Sequence, residues 1–260
     1  MKDLARLLRP KSIALIGGGW AVNVAAQLTK SGYPGAIWPV NPKRGEILGL
    51  PCFASVADLP GAPDAAFVGV NRDASVEVIA ALSRMGAGGA TCFASGFAES
   101  EAEGTGGADL QARLVAAAGG MPILGPNCYG FLNYLDNVTL WPDQHGGIPV
   151  ASGVAIVGQS SNMAINMTMQ RRALPIAYVL TAGNQAQTSL SDLGIAALAD
   201  DRVTALGLHV EGFGDIRAFE RLAGFARDRG KPVVVLKAGR SEAAQAATLD
   251  ARLVRHQGLA

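Results

Sequence analysis

Short apolar runs alternate with alanine-rich segments of helical period along almost the whole chain, and this alternation limits the folds available to it. The apolar runs predict strands near 12–16, 36–40, 65–70, 89–94, 122–124, 153–157, 176–180, 205–209 and 232–236. The segments between them predict helices near 21–31, 74–86, 108–118, 161–171, 188–199 and 215–229. Because these strands show little polar alternation, they are typical of a parallel sheet covered by helices on both faces.

The alternation stops between residues 141 and 149, where turn-forming residues dominate. A chain of 260 residues is long enough to build two domains, each with its own core. We therefore predict an α/β protein made of two doubly wound domains, residues 1–147 and 148–260, with a joint near residue 148.

A glycine-rich turn follows the first predicted strand, where Gly17, Gly18 and Gly19 precede Trp20 at the start of a helix. Glycines in such a turn let a pyrophosphate approach the backbone N–H groups at the positive end of the helix. Val22 stands where the dinucleotide-binding pattern has its third glycine, so that pattern is incomplete. The turn indicates a phosphate-bearing ligand, and a tight turn without a ligand is the alternative.

The residues after the second predicted strand restrict the kind of ligand. Asn41 ends this strand, and Lys43 and Arg44 follow it. An NAD site instead has an acidic residue there, about 20 residues after the glycines, to bind the ribose hydroxyls. Two cations at this place favour a ribose that carries a phosphate, as in coenzyme A (CoA) or NADP.

Composition excludes several other classes of protein. The chain is 49% apolar and 17% charged with a formal net charge of +1, which argues against disorder and against a nucleic-acid partner. Neither a signal-peptide core nor a membrane-spanning apolar stretch is found, so we expect a cytoplasmic protein without a membrane partner. Cys52, Cys92 and Cys128 are too far apart for a zinc site, so we expect reduced thiols and no bound metal.

Five motifs carry a family resemblance. In chain order they read Pro-Lys-Ser-Ile-Ala-Leu-Ile-Gly at 10–17, Pro-Val-Asn-Pro-Lys at 39–43, Ser-Gly-Phe-Ala-Glu at 95–99, Gly-Pro-Asn-Cys-Tyr-Gly at 125–130 and Lys-Ala-Gly-Arg-Ser-Glu at 237–242. Together they resemble the NDP-forming acyl-CoA synthetases, which are relatives of the succinyl-CoA synthetase α subunit. The resemblance implies a Rossmann-like CoA-binding domain followed by a flavodoxin-like ligase domain.

The resemblance also implies an activity. In that family a histidine carries a phosphoryl group between a nucleotide and an acid, and the acyl phosphate then reacts with the thiol of CoA. The expected partners are a small organic acid and an ATP-grasp β-type subunit or domain, which binds ATP, ADP or GDP with magnesium. We expect the isolated chain to be inactive, and a homodimer stays open.

Several site residues are carried over by the resemblance. The cofactor site gains Ser95, Gly96, Asn127 and Cys128. Asn127 is expected to make polar contacts, whereas Cys128 is interpreted as a structural thiol, since no His or acid near it in the sequence would activate it. Gly183 and Asn184 match a Gly-Asn turn of the phosphate site, and Glu211 matches the acid that orients the phosphohistidine.

Ser160, Ser161 and Asn162 stand where a strand turns into a helix. Their polar groups and the free N–H groups of the first helical turn form a candidate phosphate site, and an ordinary helix N-cap is the alternative. The family usually has Ser-Gln-Ser-Gly at this turn, whereas this chain reads Gly-Gln-Ser-Ser at 158–161.

The histidine motif is the largest departure from the family. The family carrier stands in Ser-His-Thr-Gly, but here the candidate is His256, which comes a few residues late and lacks those neighbours. We expect His209 to pack at a strand end and His145 to lie in the linker. The altered motif keeps a second hypothesis open, a non-catalytic CoA-binding or regulatory protein. An NADP-dependent reductase is the third, weakened because no Tyr-Lys or cysteine-based hydride-transfer group is evident.

Overall fold

The computed structural model describes residues 2–104 and 106–238 and contains two large sheets. Strands of the first sheet are β1 (Ser12–Gly17), β2 (Ala36–Val40), β5 (Ala65–Gly69), β6 (Ala90–Cys92) and β7 (Ile123–Leu124), all parallel, in the order β2-β1-β5-β6-β7. The helices of this half are α1 (Ala5–Leu8), α2 (Gly19–Ser31), α3 (Arg72–Met85) and α4 (Gly107–Ala118). A small hairpin, β3 (Glu46–Ile47) with β4 (Leu50–Pro51), and two 3-10 helices, Val56–Asp58 and Ala98–Glu103, complete it.

Six strands form the second sheet. They are β8 (Phe131–Asn133), β9 (Val138–Leu140), β10 (Gly153–Gly158), β11 (Ile176–Thr181), β12 (Val203–Val210) and β13 (Val233–Lys237), in the order β13-β12-β10-β11-β8-β9. Strands β10 to β13 are parallel and alternate with α5 (Ser161–Thr168), α6 (Leu190–Leu198) and α7 (Ile216–Asp228). The predicted α/β fold with two doubly wound units is confirmed, and each predicted strand and helix is present with its ends displaced by a few residues at most.

An antiparallel hairpin of β8 and β9 extends the second sheet, and the alternation pattern did not predict it. Strand β8 pairs with β11 and β9 pairs with β8, both antiparallel. Arg202 ties the hairpin to the sheet, since its guanidinium lies 2.8 Å from carboxylate oxygens of both Asp136 and Asp200. The change of sheet therefore falls between Leu124 and Phe131, before the predicted joint near residue 148. Where the chain divides into domains stays a prediction.

Local chemistry explains where the helices begin and end. At the start of α3 the Asn71 side chain accepts a hydrogen bond from the Ala74 N–H at 2.9 Å, and the helix ends at Gly86, whose φ of 80° favours glycine. Helix α6 begins with a reciprocal capping box between Ser189 and Asp192. These local signals fix where α3 and α6 begin and where α3 ends.

One apolar cluster spans both units. Leu28 of α2 belongs to the same cluster of buried side chains as Val138 and Leu140 of β9, and α2 lies against β9. Because the cluster is continuous, packing joins the two sheets directly.

Candidate binding site

The order of the first sheet creates a crevice beyond the carboxyl ends of β1 and β5. The connections from these neighbouring strands run to opposite sides of the sheet, which is the switch point at which α/β proteins bind ligands. The 17–20 turn lies there at the start of α2, and no side chain of the described residues caps this helix. A Cβ atom added at Gly18 or Gly19 would meet no atom of residues 2–104 or 106–238 within 4 Å. The turn therefore combines uncapped N–H groups with open space, as a phosphate site requires.

Asn41 supports this turn. Its Nδ2 atom donates to the Gly17 carbonyl oxygen at 2.8 Å, and its Oδ1 atom accepts from the Lys43 N–H at 2.9 Å. Gly17 has a φ of 137°, and a Cβ atom there would lie 2.5 Å from the Gly69 carbonyl oxygen. Lys43 and Arg44 are exposed and form no ion pair with any residue that the structure describes. The Asn41 side chain thus holds the backbone of this turn, and the two cations stay available to a ligand.

The loop after β6 is held from both sides at Gly96. Arg72 Nη1 donates to the Gly96 carbonyl oxygen at 2.7 Å, and the Gly96 N–H donates to Glu99 Oε1 at 2.6 Å. Glu99 Oε2 accepts a further hydrogen bond from the side-chain amide of Asn184, which comes from the second unit. Arg72 and Glu99 were not predicted as site residues, although Glu99 ends the motif at 95–99. Ser95, next to this glycine, is exposed.

Residues 125–130 form a loop that meets the turn after β11. Asn127 has a φ of 56° and its N–H donates to the Ala94 carbonyl oxygen at 2.9 Å, while its side chain is exposed. Gly183 lies against this loop so closely that a Cβ atom would come within 2.3 Å of the Pro126 carbonyl oxygen. The Asn184 N–H donates to the same oxygen at 3.0 Å. The predicted Gly-Asn turn therefore joins the two units, and the Asn184 side chain points to Glu99 and Gln111.

Cys128 is buried below the loop surface. Its thiol donates to the Thr181 carbonyl oxygen at 2.9 Å and lies 3.2 Å from the Thr181 hydroxyl. Burial raises the pKa of the Cys128 thiol to about 11, and the hydrogen bonds with Thr181 and Gly130 offset this only in part. A thiol that stays protonated at neutral pH is a poor nucleophile, which supports the structural interpretation.

The second sheet has its own switch point, between β10 and β12. After β10, Ser160 caps α5 and its hydroxyl accepts a hydrogen bond from the Met163 N–H at 3.4 Å. Across the crevice, Gln159 Oε1 accepts from the N–H groups of Glu211 at 2.6 Å and Gly212 at 3.0 Å. Gln159, which the sequence analysis did not select, thus fixes Glu211 beside the start of α5.

The two crevices meet at Tyr129. The Tyr129 N–H donates to the Ser161 hydroxyl oxygen at 3.2 Å, which places the 125–130 loop on the first turn of α5. Asn162, the next residue, is exposed. The structure therefore brings the 17–20 turn, Gly96 and the 160–162 turn to one face of the molecule, where the carboxyl edges of both sheets lie.

The histidines occupy different surroundings. His209 is buried in β12, and its Nδ1 atom has no hydrogen-bond partner among residues 2–104 and 106–238. His145 Nδ1 lies 3.0 Å from the Tyr134 hydroxyl, and burial lowers the pKa of this histidine. His256 lies outside the described residues.

The described residues show neither a metal-binding cluster nor a membrane-spanning helix. No group of three His, Cys, Asp or Glu side chains within them is arranged to hold a metal ion. None of the helices found in that part of the chain is both long and apolar enough to cross a bilayer.

Comparison with known proteins identifies both halves of the chain. Residues 11–134 match the family described as CoA binding domain, and residues 151–255 match the one described as succinyl-CoA ligase like flavodoxin domain. A trans-feruloyl-CoA synthase from an unknown prokaryotic organism is 33% identical, over 94% of this chain and 36% of its own length. The α subunit of ADP-forming acetate–CoA ligase II from Pyrococcus furiosus is 29% identical, over 90% of this chain and 51% of its own length.

A solved structure shows the same fold. The dinucleotide-forming acetyl-coenzyme A synthetase 1 of Candidatus Korarchaeum cryptofilum, in complex with phosphate and ADP, superposes with a TM-score of 0.85 and is 29% identical. The alignment covers 96% of this chain and 55% of that chain. The present chain thus spans between about a third and about half of the length of these relatives.

Proposed function

This chain belongs to the NDP-forming acyl-CoA synthetases, and on that premise we propose that it is the CoA-binding, α-type part of an acid–thiol ligase. Such a ligase joins a carboxylic acid to CoA and splits a nucleoside triphosphate into the diphosphate and phosphate. By its name, the acetate–CoA ligase given above forms ADP, and the feruloyl enzyme is by its name a CoA synthase. The overall activity also depends on the part of these relatives that the present chain does not span. We assign that part to an ATP-grasp subunit or domain, which binds the nucleotide and magnesium.

One observation carries the proposal: the Ser161 hydroxyl binds the Tyr129 N–H and so joins the switch-point crevices of the two sheets. A ligase of this type must bring a CoA thiol to an acyl phosphate. Two separate anion sites on one face, close enough to share a loop, provide that arrangement.

The first crevice suits CoA. The 17–20 turn offers uncapped N–H groups and open space for the pyrophosphate. Lys43 and Arg44, which follow β2, would bind the phosphate on the ribose. Gly96 and the exposed side chain of Asn127 lie further along the same edge, where the thiol-bearing arm would extend.

The second crevice suits a phosphate. The first turn of α5, with Ser160, Ser161 and Asn162, would hold the phosphoryl group, because its N–H groups and the helix dipole favour negative charge. Glu211 would orient the histidine that carries the phosphoryl group, and His256 is the candidate carrier. When the thiolate attacks the acyl phosphate, the C–S bond forms, the C–O bond to phosphate breaks and inorganic phosphate leaves. We also place the protein in the cytoplasm, where its three thiols stay reduced.

Calorimetric titration with CoA and with dephospho-CoA tests the binding half of the proposal. We expect the native chain to bind CoA more tightly, and the Lys43→Ala, Arg44→Ala double variant to lose that preference. Arg113→Ala is the matched control, since Arg113 is an exposed cation on α4. Equal affinity of the native chain for both ligands would refute a role for these cations in phosphate recognition.

Phosphoryl transfer is tested separately, with labelled nucleotide and a cognate ATP-grasp partner. Acid-labile label mapped to His256 would identify it as the carrier. Because its neighbours differ from the family motif, we expect His256 to stay unlabelled while the site at α5 still binds inorganic phosphate. That result would favour the non-catalytic CoA-binding hypothesis over phosphoryl transfer by this chain.

A further inference from the structure

A strip of aromatic rings connects the two crevices. The Trp20 and Phe93 ring centroids are 4.8 Å apart, and those of Phe93 and Tyr129 are 5.5 Å apart. We call Trp20, Phe93 and Tyr129 the aromatic strip. Trp20 stands in the turn at the start of α2, and the Tyr129 backbone is bonded to Ser161 at the start of α5. The strip therefore runs from the proposed pyrophosphate site to the proposed phosphate site.

The strip is accessible on one side and supported on the other. Trp20 is 45% exposed, and Phe93 and Tyr129 are half-buried. Behind them lie two fully buried rings, Phe67 at 5.7 Å from Phe93 and Trp141 at 5.3 Å from Tyr129. Rings packed in this way lose little further freedom when a ligand stacks on them, which favours binding.

We propose that the aromatic strip binds the acyl group of the substrate acid and that this acid is a planar aromatic carboxylic acid. The inference rests on the proposed function, since it names the acid that the same crevice takes. An aromatic ring stacked on Phe93 and Tyr129 gains offset or edge-to-face contacts that acetate lacks. Its carboxylate then points towards the first turn of α5, where the helix dipole favours an anion.

The Tyr129 hydroxyl adds a polar end to the strip. It makes no hydrogen bond with any residue in the described ranges, although the Tyr129 N–H is bonded to Ser161. A phenol in this position can bond a hydroxyl substituent on the aromatic ring of the acid. We therefore expect the site to favour a hydroxylated aromatic acid over its unsubstituted analogue.

Direct binding to the full chain tests the inference without catalysis. The probes are 4-hydroxycinnamate, cinnamate, 3-cyclohexylpropanoate and acetate, titrated by calorimetry and observed by saturation-transfer NMR. We expect 4-hydroxycinnamate to bind most tightly. Cinnamate, which lacks the hydroxyl, should bind roughly 2- to 10-fold more weakly, as the loss of one polar contact predicts. The saturated ring lacks both the hydroxyl and the aromatic face and should bind more weakly than cinnamate. Acetate should show no saturation at the same concentrations.

Two variants connect the affinity to the strip. Phe93→Leu keeps an apolar side chain and should lower the affinity for 4-hydroxycinnamate roughly 2- to 10-fold. Tyr129→Phe should weaken the binding of 4-hydroxycinnamate and leave the affinity for cinnamate unchanged. Phe225→Leu is the control, because Phe225 is a partly buried ring on α7. Circular dichroism of each variant confirms that it is folded.

CoA titrated into the same samples separates the two proposals. If CoA binds but acetate and 4-hydroxycinnamate bind alike, the aromatic inference is wrong and the proposed function stands. If the Phe93 and Tyr129 variants weaken CoA and not the aromatic acid, the strip holds the arm of CoA instead, and the inference is again wrong. If CoA itself fails to bind, the proposed function is refuted.

Discussion

Glu99 is the residue whose removal should most clearly disturb the junction between the two units. Its carboxylate accepts one hydrogen bond from the Gly96 N–H at 2.6 Å and another from the Asn184 side chain. Gly96 and Asn184 come from different units, and both are half-buried. We therefore predict that Glu99→Ala lowers the free energy of unfolding and loosens the loop that contains Gly96.

The expected size follows from the bonds that are lost. A hydrogen bond to a charged group contributes about 1.5–3 kcal/mol when its partner is left buried and unpaired. Here Gly96 is only half-buried, so water can replace the lost carboxylate at its N–H, and the Asn184 side chain keeps Gln111 Oε1 at 3.1 Å. Both facts bring each bond below that range, to about 1 kcal/mol, so the expected sum is about 2 kcal/mol. Glu99→Gln keeps one acceptor oxygen and should cost about half as much.

Urea unfolding at pH 7 measures the effect. Glu101→Ala is the matched control, because Glu101 lies on the same 3-10 helix, is exposed and accepts one bond, from the Ala108 N–H at 2.8 Å. It should cost less than about 0.5 kcal/mol. A cycle with Asn184→Ala should give a coupling of about 1 kcal/mol with Glu99→Ala. A Glu99→Ala variant within about 0.5 kcal/mol of the native chain would refute the argument.

Three further predictions concern other parts of the structure. Burial opposes ionisation of Asp200, but hydrogen bonds and charge from Arg202 outweigh it and lower the pKa of Asp200 to about 2. The stability that this ion pair contributes should therefore be complete above about pH 4 and lost as the pH falls towards 2. Urea midpoints at pH 7, 4 and 2.5 should therefore fall more steeply for the native chain than for Asp200→Asn. Iodoacetamide at pH 8 should leave Cys128 unmodified until the chain unfolds, which peptide mass mapping checks, and early labelling would contradict its buried, protonated state. Gly17→Ala should lose about 1–3 kcal/mol of stability, as denaturation would show, because its Cβ meets a carbonyl oxygen at 2.5 Å. Gly19→Ala should keep its stability and bind CoA more weakly, as calorimetry would show.

Sequence patterns predicted those features that depend on neighbouring residues. The 17–20 turn and the strand before it follow from glycines after an apolar run, and the structure places them at the switch point of the first sheet. The polar residues at 160–162 predicted a helix start, and Ser160 does cap α5. These predictions hold because strand, turn and cap preferences act over a few residues.

Features that depend on distant contacts were not predicted. The β8–β9 hairpin has strands of only three residues, and β8 is fixed by pairing with β11, which lies more than 40 residues further along the chain. The role of Asn184 in the phosphate site stays a prediction, whereas its hydrogen bond to Glu99, 85 residues away in sequence, was not predicted. No local periodicity encodes such pairings, so only the folded chain reveals them.

The β8–β9 hairpin determines where this protein can recombine with a relative. A crossover at residue 148 would give β8 and its neighbour β11 different parents, and Asp136 would then face an Arg202 from the other parent. A crossover between Leu124 and Phe131 would keep the second sheet whole. It would instead separate the loop at 125–130 from some of the residues that it contacts. Gly183 has no room for a side chain against Pro126, so it would have to fit a loop from the other parent. Each exchange breaks one set of complementary contacts, so we expect both halves of a stable chain to come from the same parent.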